Sequence, residues 1–305
     1  MRIMLTGASG FVGAAILDEL LARGHSVSAL AHRRPIAREH VQSFQGGLFS
    51  MSSLIEAMRD CDAVIHLVGI IFEDRPHGVT FDRIHIEGTR HVVQVAQQLG
   101  IKRLIHMSAL GTRPGAISRY HQTKFAAEEI VRSSDLEWTI FRPSLIHGPG
   151  GEFTKMESAW VRGKAPPYYF MPYFARGLLG RSGASRIQPI YVKDLARAFV
   201  DSLSLTRTIG EVYLLAGPDI IDWPTMHRIC AKEISGAERR VIGIPAWYAR
   251  LLTRIIPAKF LPFNIDQVQM SQEDSICNLT KFQEDFGWRP QGFAATLRSY
   301  AEQLL

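Results

Sequence analysis

Hydrophobic residues in the first half of the chain follow two alternating patterns. Short runs that are apolar throughout are separated by longer segments in which apolar residues recur every three or four positions. The first pattern is typical of strands buried on both faces of a parallel sheet, and the second of the helices that cover it. We therefore predict an α/β fold with a doubly wound parallel sheet. The predicted strands are Ile3–Leu5, Ser26–Leu30, Ala63–Val68, Arg103–Met107 and Trp138–Arg142, and the predicted helices include Ser52–Met58, Thr89–Leu99 and Lys124–Arg132.

The pattern becomes less regular from Gly148 onward. Glycine and proline clusters, such as Gly148–Gly151 and Pro166–Pro167, mark long irregular connections that are typical of substrate loops. We predict a first domain over 1–147 and a smaller, partly helical region over 148–305 that contacts a substrate or partner. In this region Gln188–Val192 and Glu211–Leu215 are predicted strands that return to the main sheet or flank it.

The composition is that of a folded protein, with 46% hydrophobic and 21% charged residues among 305. No apolar run reaches the roughly 18 residues that span a bilayer. Met1 and Arg2 lead directly into the first predicted strand, without the layout of a signal peptide. We therefore expect a cytoplasmic protein, or one that lies peripherally on the inner face of a membrane.

The net charge and the positions of the cysteines and histidines limit the kinds of ligand and partner that we expect. The net charge of +6 suits a phosphate-bearing ligand or an anionic membrane surface, but the basic residues are dispersed, so we expect no nucleic acid partner. Cys61, Cys230 and Cys277 lie far apart, and the eleven histidines form no ligand motif. We expect neither a disulfide framework nor a metal site.

Three glycines follow the first predicted strand with the spacing of a dinucleotide site. Gly7 permits the tight turn, Gly10 permits close approach of a pyrophosphate, and Gly13 lets the next helix pack on the sheet with its N–H groups facing the anion. An ordinary strand-to-helix turn is the alternative. The expected binding residues in this segment are Gly7, Ser9, Gly10, Phe11, Val12 and Gly13, and we predict that 1–147 is a Rossmann domain.

The residues after the second predicted strand favour NADP(H) over NAD(H). An enzyme that binds NAD(H) usually has an acidic residue there, which bonds to the ribose hydroxyls. This chain has His32, Arg33 and Arg34 instead, and a guanidinium suits a phosphate better than a diol. The alternative is that the arginines are solvated loop charges. Gly47 and Leu48 come shortly before the predicted helix Ser52–Met58, and they too are expected to contact the cofactor.

A second motif resembles the active site of the short-chain dehydrogenase/reductase superfamily. Ser108 lies at the end of the predicted strand Arg103–Met107, and Tyr120 and Lys124 lie four residues apart on one face of the following helix. The resemblance implies that Tyr120 exchanges a proton with a substrate oxygen, that Lys124 lowers the pKa of Tyr120 and binds the nicotinamide ribose, and that Ser108 orients the oxygen. It also implies cofactor contacts from Leu67, Val68 and Gly69 and from Pro143, Ser144 and Leu145.

Longer segments resemble one atypical branch of this superfamily. His106–Gly111, Trp138–Ser144 and Phe286–Pro290 are similar to the nucleotide-binding accessory subunit of respiratory complex I and to its bacterial homologues, the NAD-dependent epimerase/dehydratase-like proteins. The chain departs from the extended members at His85, which replaces their usual asparagine, and at Gly47, which replaces an aspartate. These departures leave open the hydrogen-bonding role at position 85 and the way in which adenine is held.

Three functions fit these motifs. The leading hypothesis is an NADP(H)-dependent oxidoreductase or epimerase-like enzyme that transfers a hydride, with Tyr120 as acid/base. The second is a nucleotide-binding subunit or assembly factor of a quinone-reducing membrane complex, without turnover of its own. The third is a redox-sensing regulator. The expected substrate is a small molecule, with an apolar or quinone-like compound among the candidates.

Two segments have more than one interpretation. Residues 245–256 form an amphipathic pattern that suits a membrane-surface helix, the lining of an apolar pocket or a helix packed on the core. Tyr168–Phe174 is an aromatic segment without a helical or strand period. It suits an apolar lid, a partner surface or a loop anchor.

Overall fold

The computed structural model describes residues 1–31, 35–177, 183–256, 261 and 263–304. Its strands are β1 (Arg2–Thr6), β2 (Ser26–Ala31), β3 (Val41–Gln45), β4 (Ala63–His66), β5 (Arg103–Met107), β6 (Glu137–Pro143), β7 (Ile146–His147), β8 (Met171–Ala175), β9 (Arg186–Ile187), β10 (Ile190–Tyr191), β11 (Glu211–Leu215), β12 (Ile221–Asp222) and β13 (Val241–Pro245).

The α-helices are α1 (Phe11–Ala22), α2 (Met51–Met58), α3 (Gly88–Gln98), α4 (Arg119–Arg132), α5 (Glu152–Val161), α6 (Val192–Ser202), α7 (Trp223–Ser235), α8 (Ala246–Ile255), α9 (Ile265–Met270), α10 (Thr280–Phe286) and α11 (Phe293–Arg298).

The described residues divide into two compact units, and the chain passes between them several times. The first unit is made of Met1–Pro143, Val192–Leu215 and Leu279–Trp288. The second is made of Ser144–Tyr191, Ala216–Asn278 and Arg289–Leu305.

A seven-stranded parallel sheet forms the centre of the first unit, in the order β11-β6-β5-β4-β1-β2-β3. The predicted doubly wound fold is therefore confirmed. Helices α2, α3 and α4 pack side by side, and an apolar core of strand and helix residues, including Met4, Leu54 and Val92, lies fully buried among them. Helix α1 packs against α6. The carboxyl ends of β1, β4 and β5 lie next to one another, because these strands are neighbours and run in the same direction.

The second unit is mainly helical, with short strand pairs. Strands β8 and β13 pair in parallel, and helices α5 and α7 pack against each other. The sequence of Tyr168–Phe174 suggested an irregular segment throughout. In the structure its last four residues belong to β8 (Met171–Ala175), which pairs with a strand distant in the sequence. Helix α8 packs on α9 and β13.

The predicted strand Gln188–Val192 is wrong at both ends. Only Ile190 and Tyr191 form a strand, and Val192 begins α6. The reason is the spacing of the residues that follow, since Val192, Leu195, Ala196 and Phe199 lie on one buried face of a helix.

Candidate functional site

The turn between β1 and α1, which we call the glycine turn (Gly7–Gly13), leaves backbone N–H groups open at a helix N-terminus. Gly7 has a φ of 76°, which glycine adopts without strain. A Cβ on Gly13 would lie 2.0 Å from the carbonyl oxygen of Gly7, so only glycine fits this contact. Ser9 and Gly10 are exposed, and no side chain in the described part of the chain caps α1. The N–H groups here are therefore available to an anion.

The segment after β4 lies beside the glycine turn on one side and Lys124 on the other. A Cβ on Gly7 would lie 3.4 Å from Cβ of Leu67 and 3.5 Å from Cγ2 of Val68. A Cβ on Gly69 would lie 2.8 Å from Nζ of Lys124. The structure thus brings two separate sequence motifs, the glycine turn and the tyrosine–lysine pair on α4, to the same edge of the sheet.

Lys124 is buried, with 3% of its surface exposed, at the carboxyl end of β5. Its Nζ donates a hydrogen bond of 3.0 Å to the carbonyl oxygen of Met107. Burial lowers the pKa of Lys124 to about 8, and the nearby carboxylate of Glu128 partly opposes this shift. An ammonium has three N–H donors, so it can bind a further acceptor beside Gly69.

Ser108 directly follows Met107 and is buried. Its backbone N–H donates to the carbonyl oxygen of Phe141 at 2.8 Å, which extends the pairing of β5 with β6 by one residue. Its hydroxyl donates a long hydrogen bond of 3.4 Å to Oγ1 of Thr112. Ser108 and Lys124 therefore lie at the same strand end.

Tyr120 is half-buried in the first turn of α4, one turn before Lys124. The helix begins at Arg119, five residues before its predicted start, because Ser118 caps it by accepting a hydrogen bond from the N–H of His121. Burial raises the pKa of Tyr120 to about 12. The lowered pKa that the resemblance implies is therefore wrong for this structure, since desolvation of the phenolate is the dominant effect. The hydroxyl of Tyr120 therefore keeps its proton at physiological pH.

His85 links three segments around these residues. It lies in a π-helical turn (Asp82–Glu87), a feature often found at functional sites. Its Nδ1 is 2.9 Å from Oγ1 of Thr123, its Nε2 is 3.1 Å from the amide nitrogen of Ile70, and its ring meets that of Tyr120 edge-on. Burial holds the pKa of His85 far below its usual range, so the ring is neutral.

A buried hydrogen-bond network fixes the end of β4, and the sequence analysis missed it. Nδ1 of His66 is 2.8 Å from Oγ1 of Thr6, and Nε2 of His66 is 3.2 Å from Oγ1 of Thr89. The N–H of Leu67 donates to the same oxygen of Thr6 at 3.1 Å. The sequence held one signal of this network, because Thr6 and His66 are polar residues at the ends of apolar strands.

The other predicted cofactor residues are distributed as follows. Phe11 and Val12 are half-buried in the first turn of α1, Gly47 is half-buried, and Leu48 is buried against Gly88. Pro143 ends β6 in the first unit, whereas Ser144 and Leu145 belong to the second unit. His32, Arg33 and Arg34 lie outside the described residues.

The described residues include neither a metal-binding cluster nor a membrane-spanning helix. They contain no group of three or more His, Cys, Asp or Glu side chains that could hold a metal ion. They also contain no helix with the length and apolarity needed to cross a membrane.

The chain is similar to proteins with several different names and activities. It is 28% identical over 300 residues to the mitochondrial NADH dehydrogenase (ubiquinone) 1 alpha subcomplex subunit 9 of Arabidopsis thaliana, covering 91% of this chain and 72% of that protein. It is 28% identical over 248 residues to the ceramide reductase of Caulobacter vibrioides, covering 80% of this chain and 73% of that one.

A solved structure has the same fold. The complex of UDP-glucose 4-epimerase with NAD from Thermus thermophilus matches with a TM-score of 0.74 and 20% identity, over 100% of this chain and 99% of that one. The model of the NAD(P)H-binding family matches residues 7–159, which include the glycine turn, Ser108, Tyr120 and Lys124. The chain therefore belongs to the NAD(P)H-binding family, with a Rossmann fold of the oxidoreductase and epimerase type.

Proposed function

We propose that this protein is an NADP(H)-dependent oxidoreductase that reduces a carbonyl group or oxidises the corresponding alcohol. The observation that carries the proposal is the position of Lys124, whose buried ammonium lies against Gly69 and the end of β5. Burying an ammonium costs free energy unless a partner compensates the charge. Lys124 lies at the same sheet edge as the glycine turn, where a bound dinucleotide would supply such a partner. We further propose that 1–147 is the dinucleotide-binding domain and that 148–305 contributes the substrate region.

The residues present fit a dinucleotide. The glycine turn offers open N–H groups for a pyrophosphate, and a side chain on Gly13 would collide with the turn itself. Gly69 leaves room beside Lys124 for a ribose, and Leu67 and Val68 lie next to the turn. When bound, NADP(H) supplies or accepts the hydride.

The chain's own residues would then handle the proton. The hydroxyl of Tyr120, protonated at physiological pH, donates a proton to the substrate oxygen as the carbonyl carbon is reduced. The Ser108 hydroxyl, held at the end of β5, donates a hydrogen bond to the same oxygen. Lys124 binds the ribose hydroxyls and stabilises the tyrosinate left by proton transfer. In the direction of oxidation the same groups act in reverse.

The comparison with the ceramide reductase supports an apolar substrate. That protein's name assigns it a lipid substrate, and this chain resembles it over most of the length of both. A lipid-like or quinone-like carbonyl compound is therefore the class that we would test first.

The test is a Tyr120→Phe variant assayed by loss of NADPH absorbance with a panel of carbonyl and quinone compounds. The substitution removes the hydroxyl and keeps the ring, so we expect nearly unchanged cofactor affinity and turnover lowered about a hundredfold. Tyr169→Phe, at a tyrosine that is 84% exposed, is the matched control. An unchanged rate in Tyr120→Phe would contradict the acid/base role.

The preference for NADP(H) needs its own test, because Arg33 and Arg34 lie outside the described residues. We expect Arg33→Ala to weaken NADPH binding by about 1.5 to 3 kcal/mol, the range for a hydrogen bond to a charged group, and to leave NADH binding unchanged. Arg38→Ala, at another arginine of this segment, is the control. Equal losses for both cofactors would show that Arg33 does not contact the phosphate.

A second candidate function is a nucleotide-binding subunit or assembly factor of a complex I-like membrane assembly. It is favoured by the similarity to the Arabidopsis NADH dehydrogenase subunit, which extends over 91% of this chain. A protein that retains NADPH, oxidises none of it with any of the compounds and co-purifies with a membrane complex would support this candidate over the enzyme.

A further inference from the structure

Helix α8 packs through its small side chains and exposes its large apolar ones. Ala246 and Ala249 are buried against Val268 of α9, together with Phe174, Ile244 and Phe263. On the opposite side Trp247, Tyr248, Leu251 and Ile255 are 52%, 44%, 43% and 67% exposed. Their spacing places all four on one side of the helix, which we call the α8 apolar face.

Positive charge borders this face. Arg250 and Arg254 lie one turn apart, next to Trp247 and Leu251 in helical projection, and both are exposed. Helix α8 contains no acidic residue, and neither arginine forms an ion pair with any residue that the structure describes. The chain as a whole carries a net charge of +6.

This combination fits a lipid surface better than it fits a protein partner. Amphipathic helices that lie in a bilayer interface have Trp and Leu on the apolar side and Lys or Arg where the headgroups lie. In a symmetric dimer formed through α8, by contrast, the arginines of the two copies would be brought close together, and like charges would oppose association. The exposed aromatic rings of Trp247 and Tyr248 also suit the headgroup level of a membrane.

We propose that the α8 apolar face docks on a bilayer that contains anionic phospholipids, with Arg250 and Arg254 contacting the headgroups. The side chains of Leu251 and Ile255 insert among the upper parts of the acyl chains. Docking requires no rearrangement of α8, because the face is already exposed and the buried alanines hold the helix on its unit. The proposal is independent of the cofactor chemistry proposed above.

Vesicle flotation of the full-length protein tests this docking. The probes are vesicles of phosphatidylcholine alone and vesicles of an equimolar mixture of phosphatidylcholine and phosphatidylglycerol. We expect binding to the mixed vesicles and little to the neutral ones. The double variant Leu251→Asn/Ile255→Asn should lose binding at least tenfold through lost apolar insertion. Arg250→Gln/Arg254→Gln should lose it about 25-fold, since each cation near an anionic surface contributes about fivefold.

The controls are Ile220→Asn and Arg228→Gln, which remove an exposed apolar residue and an exposed arginine of the same unit outside α8. They should bind the mixed vesicles like the wild type. Equal thermal midpoints for all variants show that folding is intact, as expected for exposed positions.

Several outcomes would overturn the proposal. The proposal fails if the wild type does not bind the mixed vesicles. It also fails if the α8 variants and their controls lose vesicle binding equally. Sedimentation velocity identifies a rival occupant. A dimer of the wild type that Leu251→Asn/Ile255→Asn dissociates, without vesicle binding, would assign the face to a second copy of the chain.

Discussion

Helices α4 and α8 both depart from the rule that polar residues face water and apolar residues face the core. In α4, Lys124 and Glu128 are 3% and 0% exposed. In α8, Trp247 and Ile255 are 52% and 67% exposed, while alanines form the buried side. Burying a charge costs free energy, and a cluster of large apolar side chains in water is a feature of binding surfaces. We interpret α4 as one wall of a cofactor site and α8 as a surface for an apolar partner.

The largest effect on stability is expected at Glu128, whose negative charge compensates positive charge on the buried side of α4. Its carboxylate accepts hydrogen bonds from Nε and Nη2 of Arg142 at 2.8 and 2.6 Å. Glu128→Gln removes the negative charge and leaves the partly buried guanidinium without it, so we expect unfolding free energy to fall by about 3 kcal/mol or more.

Urea denaturation measures this loss. The control is Glu129→Gln on the exposed side of the same helix, where a surface ion pair contributes about 0.5 kcal/mol. Similar small losses in both variants would show that α4 does not depend on its buried charges, and would remove one side of the comparison.

The second largest effect on stability is expected at Lys124, whose charge is buried. Its pKa is lowered to about 8 from the usual 10.5, so between these values the unfolded chain holds a proton that the folded chain has released. Stability of the wild type therefore rises with pH across this window, and below it the buried charge costs about 3 kcal/mol. Lys124→Met removes that cost but also the hydrogen bond to Met107. We expect the variant without cofactor to be about 2 kcal/mol more stable than the wild type near pH 7.

The measurement is urea denaturation at a series of pH values, and the difference should shrink as the pH rises from 8 to 10.5. Lys193→Met, at an exposed lysine of α6, should show no such trend. A difference that is independent of pH would indicate that Lys124 is not held in a desolvated site.

The smallest effect is expected on the exposed side of α8. Because Leu251 is 43% exposed, Leu251→Asn should change the unfolding free energy by less than about 0.5 kcal/mol. Ala249 is fully buried, and Ala249→Leu should destabilise by about 1 to 3 kcal/mol through overpacking. The same denaturation experiment compares the two, and the reverse order would mean that the apolar residues of α8 face the core.

Much of the first unit could be predicted because its signals are local. Apolar runs located the strands of the main sheet other than β3, and the spacing of Gly7, Gly10 and Gly13 located the turn that begins α1. The four-residue spacing of Tyr120 and Lys124 placed them on one helix face, since helical periodicity needs no knowledge of the partner surface. The separation between these motifs along the chain did not matter, because parallel strands end at one sheet edge.

Other features depend on packing that one sequence does not display. The buried side of α8 was left open because the large residues dominate its pattern, whereas the structure uses Ala246 and Ala249, whose small size permits close packing on α9. The π-helical turn around His85 depends on a shift in backbone hydrogen bonding that side-chain patterns do not reveal. The raised pKa of Tyr120 depends on its burial in the folded chain.

The measurement that tests the central claim most directly is calorimetric titration of NADPH into the wild type, Lys124→Met and Lys193→Met. If the buried ammonium of Lys124 is retained to bind the cofactor, Lys124→Met should bind NADPH about tenfold or more weakly, as expected for a lost hydrogen bond to a charged donor, even though it is the more stable protein. Lys193→Met should bind like the wild type. A folded Lys124→Met variant with wild-type affinity for NADPH would contradict the claim.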